Sequence, residues 1–295
     1  MYCDNVIFNI KQSLPKIITI DFIFADGYYM NKIKGRREEM VNEPSIERQL
    51  KQLRTWNLVV GVILAVQAIL IAGLTNSFAL PVTATFMTNA PGVGQPVLHH
   101  LFDIRTGWGV FAFLAISAIS LLLIASPAVF PWYKRNLQQS RNYGRWIEYF
   151  FSSSIMIVLI AQITGISDIG ALLAIFGTNA SMILFGALQE KYEKPGKPNF
   201  LPFWMGSFAG IIPWIAILIY TIAPGTHISP PGFVYGIIAS LFVFFNCFAV
   251  NMILQYKKIG PWRDYLFGEK AYILLSLTAK ALLAWQVFFP VLKLK

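Results

Sequence analysis

Residues 275–288 read "LSLTAKALLAWQVF", and Lys280 is the only charged residue between Ala271 and Leu292. An apolar run of that length is what a helix needs to cross a hydrocarbon core of about 30 Å. A charge at its centre disfavours insertion by about 2.5–3.5 kcal/mol, so the ammonium group needs a reason to be there. Snorkelling does not supply one. Lys280 stands about ten residues, or roughly 15 Å, from either end of the run, beyond the reach of its stem.

The rest of the chain has the same character. Of 295 residues, 56% are hydrophobic and only 13% charged, where a soluble domain of this size carries about a quarter charged residues. Seven hydrophobic segments follow one another, at about 56–76, 107–130, 140–164, 168–189, 201–223, 232–255 and 269–290. Between them stand "PWYKRNLQQ", "GISD", "KPGKPN", "APGTHISPPG" and "KKIGPWRD", whose Pro and Gly residues favour turns. Pro213 falls inside the fifth segment, where a kink is expected. The reading is an all-α membrane protein, a seven-transmembrane helix bundle.

Lys and Arg set its direction. Eighteen lie in residues 31–54 or in the loops of that same side, against three on the other side. That bias puts the N-terminus in the cytoplasm and the C-terminus outside. It also accounts for the net charge of +10 without nucleic acid. The long connection over about 77–106 lies on the outer side, and "FALPVTATFMT" predicts a short β-hairpin there. His99, His100 and Asp103 in it read as solvated loop residues. Cys3 and Cys247 make neither a disulfide framework nor a metal site. Residues 1–39 read as a leader, disordered or a mis-assigned start, ahead of a membrane domain spanning 40–295. "GRREEM" can be encoded by a purine run like a ribosome-binding site, which makes Met40 the expected start. Intact-mass measurement tests that.

Inside the segments the only other charge away from an end is Glu148, in "RWIEYFFSSS", with Arg145 one turn before it. Asp168, Glu190 and Glu269 fall at segment ends, where water and headgroups are expected to solvate them. Ser276 shares a face with Lys280, and Ser152 follows Glu148 by one turn. Trp204, Trp214, Trp285, Phe176 and Met182 are available to line an apolar slot. A desolvated amine beside hydroxyls, a carboxylate and such a slot suits an imine to a hydrophobic aldehyde. Glu148 would keep that imine charged.

At "NLVVGVILAVQAIL", "RWIEYFFSSSIMIVLIAQITGISDIGALLAIFGTNASMILFGALQE" and "SLTAKALLAWQVF" the chain resembles the heliorhodopsins, from about Trp56 to Phe289. The resemblance implies all-trans retinal bound to Lys280 as a protonated Schiff base, with Glu148 as its single counterion. It places Ser117 and Ser276 near the Schiff base, and Asn179, Met182 and Trp204 around the polyene. It puts Gln67, Ser153 and Arg145 along an internal polar network. It also implies a homodimer in the cell membrane, with the hairpin near the interface. Heliorhodopsins commonly have histidines in the first and second spans that are associated with proton acceptance. Leu64 and Leu121 stand at the aligned positions here, and leucine cannot take a proton.

The function so implied is light sensing without ion pumping, read out by a signalling protein on the cytoplasmic side. A light-driven proton transporter or channel is the alternative, and a non-photoactive transporter a further one. Broken helices or inverted repeats would favour the last, and neither is seen. With no nucleotide loop and no metal-ligand spacing, an enzyme is not expected.

Overall fold

The computed structural model describes residues 16–223 and 230–293, with side chains placed for 45–223 and 230–289. The chain divides into two units, Met1–Lys51 and Gln52–Lys295, and the contacts below all belong to the second. Of the expected leader, residues 1–15 lie outside the described residues, as do the side chains of 16–39.

Helix α1 runs Lys16–Leu74, and its Ser45–Leu74 portion is long and apolar enough to cross a membrane. Strands β1 (Ala79–Phe86) and β2 (Val97–Arg105) follow as an antiparallel hairpin with an irregularity between Val82 and Thr83. Then come α2 (Thr106–Ala125), α3 (Phe130–Gln138), α4 (Tyr143–Ile163), α5 (Ile169–Tyr192), α6 (Leu201–Ile222), α7 (Gly232–Tyr256) and α8 (Tyr265–Lys293). Every one of these except α3 qualifies as a span, so there are seven among the described residues.

The hairpin forms where the alternation of "FALPVTATFMT" placed it. Thr83 ties it to the α4–α5 turn, donating its N–H to Ser167 O at 2.8 Å. In that turn Gly165 sits at φ +100°, a conformation that a side chain would strain. His100 Nε2 lies 2.8 Å from Asp103 Oδ1 on the exposed strand β2.

The first span begins at Ser45, not near residue 56, and the second span and the stretch after it differ from expectation too. The second span stops at Ala125, not near residue 130, because Ser126 turns extended ahead of Pro127. "PWYKRNLQQ" is not a turn. It begins the amphipathic helix α3, with Pro131 in the first turn, where its missing N–H costs nothing. Arg54 of α1 closes the end of α2, its Nε donating to Ala125 O at 2.8 Å, and lies over the Phe130 ring at 4.9 Å. Helix α6 stays assigned as one helix through Pro213.

Helix α4 is the central element of the bundle. It packs against α2 and α5, and Arg145, Glu148, Ser152 and Ser154 are buried along it. By contrast α6 rests mainly on α5 and meets α7 through Trp214, whose ring packs on Phe242 and Phe245. The ends of the bundle are called here the hairpin end and the Arg145 end.

Candidate functional site

Helices α4 and α8 lie so that Glu148 and Lys280 meet in the interior of the bundle. Lys280 Nζ is 2.8 Å from Glu148 Oε1 and 2.6 Å from Ser276 Oγ, one turn earlier on its own helix. Ser117 of α2 donates to the same Glu148 oxygen at 2.6 Å. Lys280 and Glu148 are only 3% and 5% exposed. Nζ also stands 5.0 Å from the centre of the Tyr149 ring, whose face attracts a cation. A desolvated pair of this kind is weak evidence for stability, because burial cancels much of the Coulomb gain.

The amine faces a slot of about 200 Å³ between α4, α5, α6, α7 and α8. Met156, Met182, Phe203, Trp214, Phe245 and Tyr272 are among the side chains that line it. Its width depends on glycine: a Cβ on Gly210 would collide with the sulfur of Met182. Ser152 lines the slot, and its hydroxyl has no partner among the described residues. Ile211 and Phe242 line it too while remaining exposed on the outer surface, so the slot reaches the lipid-facing side.

Some expected residues stand elsewhere. Trp204 is 64% exposed and points away from the slot, and its neighbour Phe203 takes that place. The 3.6-residue period explains this, since adjacent helical residues diverge by about 100°. Trp285 packs on Phe288 and Phe289, and Phe176 packs on Phe150; neither lines the slot. Asn179 lies behind the wall and holds Ser153 and Ser154 at 2.8 and 3.0 Å. Ser153 and Met182 do line the slot. Gln67, on α1, does not, and its carbonyl oxygen has no partner among the described residues.

The largest departure concerns Glu190 and Glu269. They are not solvated: they are 2% and 1% exposed and share the guanidinium of Arg145. Arg145 Nη2 donates to Glu190 Oε1 at 2.7 Å and Nη1 to Glu269 Oε1 at 2.5 Å. Asn142 organises the group. Its side chain caps α4 by accepting from the Arg145 N–H at 3.0 Å, and its Nδ2 donates to Glu269 Oε2 at 2.6 Å. Its backbone N–H donates to Glu190 Oε2 at 2.8 Å. Tyr265 OH and Trp146 Nε1 also donate to Glu190. The hydroxyl of Tyr133 accepts from Asn57 and Asn142, and burial pushes this phenol up, so it stays neutral. One signal in the sequence pointed here: three charges fall at the same end of three different spans.

A second, smaller cavity of about 30 Å³ joins the two groups. Glu148 and Ser276 line it, as do Arg145, Asn142 and Glu269; Leu121 is also part of its wall.

Seven spans around a buried lysine–carboxylate pair, with an apolar slot beside the amine, describe a protein of the rhodopsin type. The solved structures agree on the fold. The light-driven proton pump rhodopsin CsR of Coccomyxa subellipsoidea matches with a TM-score of 0.53 at 17% identity, over 80% of this chain and 96% of that one. No curated protein matches. The heliorhodopsin family model matches residues 53–292, and the chain belongs to the heliorhodopsin family. Membership makes it a multi-pass membrane protein and implies retinal held through a lysine Schiff base.

Proposed function

We propose that the protein is a light sensor in the cell membrane that binds all-trans retinal through Lys280 and does not pump ions. The observation that carries this reading is the 2.8 Å contact between Lys280 Nζ and Glu148 Oε1 at the end of an apolar, aromatic-lined slot. The donor set suits the group: a primary amine, one carboxylate, and hydroxyls of Ser117, Ser276 and Ser152 in an otherwise apolar wall. When bound, retinal supplies a light-driven change of shape. The chain does the rest. Glu148 keeps a proton on Nζ, and Ser117 and Ser276 divide its hydrogen bonding. Met182 and Gly210 shape the slot.

The case against pumping rests on asymmetry. Glu190 and Glu269 are buried carboxylates besides Glu148. Yet both lie at the Arg145 end. Toward the hairpin end the buried side chains without partners among the described residues are Gln67, Thr106 and Gln162, none of which titrates. A proton that leaves Nζ toward Arg145 therefore has a route back on the same side, and no buried titratable side chain among the described residues stands on the other. The Arg145 end faces the cytoplasm in this reading, following the Lys and Arg bias. A signalling protein there reads the relaxed state of the helices, the chain itself is not an enzyme, and two copies form a homodimer near the hairpin.

Adding retinal to the expressed protein tests the core of this. A visible band should form, and borohydride should then fix retinal to Lys280. An unmodified Lys280 defeats the proposal. Illumination of a cell suspension should leave the pH unchanged; a change abolished by a protonophore would favour light-driven proton transport instead.

A further inference from the structure

The cluster around Arg145 carries one guanidinium against two carboxylates, a surplus of one negative charge inside the bundle. The hydrogen bonds say where that surplus is exposed. A carboxylate has about four lone-pair sites. Glu190 fills four, with Arg145 Nη2, Tyr265 OH, the Asn142 N–H and Trp146 Nε1. Among the described residues Glu269 accepts only from Arg145 Nη1 and Asn142 Nδ2. Glu269 also borders the small cavity, and Glu190 does not.

That cavity reaches Glu148 and Ser276, the partners of Lys280. Its 30 Å³ exceed the roughly 10–15 Å³ needed to hold a water, and its walls offer polar groups to bind one. Glu269 and Ser276 are seven residues apart on α8, about 10 Å along the axis, and both line this cavity. The titratable groups around the cluster are Tyr133 from α3, Arg145, Glu148 and Tyr149 from α4, Glu190 from α5, Tyr256 from α7, and Tyr265, Tyr272 and Lys280 from α8. The tyrosines are donors, not bases, at neutral pH. Leu121, in the wall of the same cavity, offers no base at all.

We infer that Glu269 is the store for the proton that leaves Lys280 after light absorption, an inference that rests on the retinal reading above. The N–H bond at Nζ breaks and its electron pair stays on nitrogen. The proton passes by way of Glu148 and cavity water to a free lone pair of Glu269, where an O–H bond forms. The Lys280–Glu148 pair goes from neutral to −1, and the Arg145 cluster from −1 to neutral. Glu190, already saturated with donors, offers no free lone pair to that proton.

Light-induced infrared difference spectroscopy on the retinal-loaded protein tests this, with flash absorbance timing proton loss from Nζ as a short-wavelength signal. A carboxylic-acid carbonyl band should appear together with that signal. The band should vanish in Glu269→Gln, shift in Glu269→Asp and persist in Glu190→Gln. Should Glu269→Gln fold poorly, the band position in Glu269→Asp decides. A band unaltered in both Glu269 variants places the proton on Glu148 and overturns the inference, as does a wild type that never develops the band. Those results leave the pigment coloured. A wild type that takes up no colour defeats the retinal reading itself, and this inference with it.

Discussion

Two buried charge groups share helix α4, with Arg145 one turn before Glu148, and they are built differently. Around Lys280 one cation meets one anion, assisted by two hydroxyls, and an apolar slot stands on the other side. Around Arg145 one cation meets two anions, and amide, indole and phenol donors close most of the remaining sites. The first group is sparse enough to accept a ligand. The second is dense enough to hold three helices in register. Charge pairs of similar burial thus serve opposite ends, according to how many hydrogen-bonding sites are left open.

The comparison is most exposed at the lysine. Lys280→Ala should abolish the visible band completely on retinal addition, measured by absorbance of the purified protein. Glu148→Gln should come next: removing the negative charge shifts the band to the red or costs the imine its proton near neutral pH. An unchanged spectrum would move the counterion to another residue. Arg145→Ala should hardly touch colour in whatever protein folds. It leaves two buried carboxylates unpaired, so thermal unfolding should show a loss of about 3–5 kcal/mol. If Arg145→Ala changed the colour as strongly as Glu148→Gln, the two groups would have to be treated as one.

The remaining variants are gentler. Gly210→Ala pushes a methyl toward Met182, and overpacking of this kind costs about 1–3 kcal/mol, here read as slower or weaker uptake of retinal. Ser276→Ala removes one hydrogen bond of Lys280 and should cost about 1 kcal/mol with a small colour shift.

The spans and the Lys280–Glu148 pair were legible because insertion into a membrane imposes long apolar runs on which a lone charge is conspicuous. The hairpin was legible from its alternation. Glu190 and Glu269 were not, because a carboxylate near the end of a span looks the same whether it faces water or a guanidinium on another helix. Only packing decides that, and Asn142, whose capping side chain and backbone reach both acids, gave no sign in the sequence beyond its place before a helix. Trp204 failed for a related reason: one residue of helix decides between lining a slot and facing lipid. The α3 helix was missed because proline at a helix start and proline in a turn have the same spelling.

Ile211 and Phe242 belong both to the wall of the slot and to the outer face of the bundle. A hydrophobic aldehyde dissolved among lipid tails therefore meets the binding space sideways, without crossing either aqueous face. Occupancy is then governed by how much of the aldehyde partitions into the surrounding bilayer, so that loading a cell with this pigment becomes a question of membrane composition.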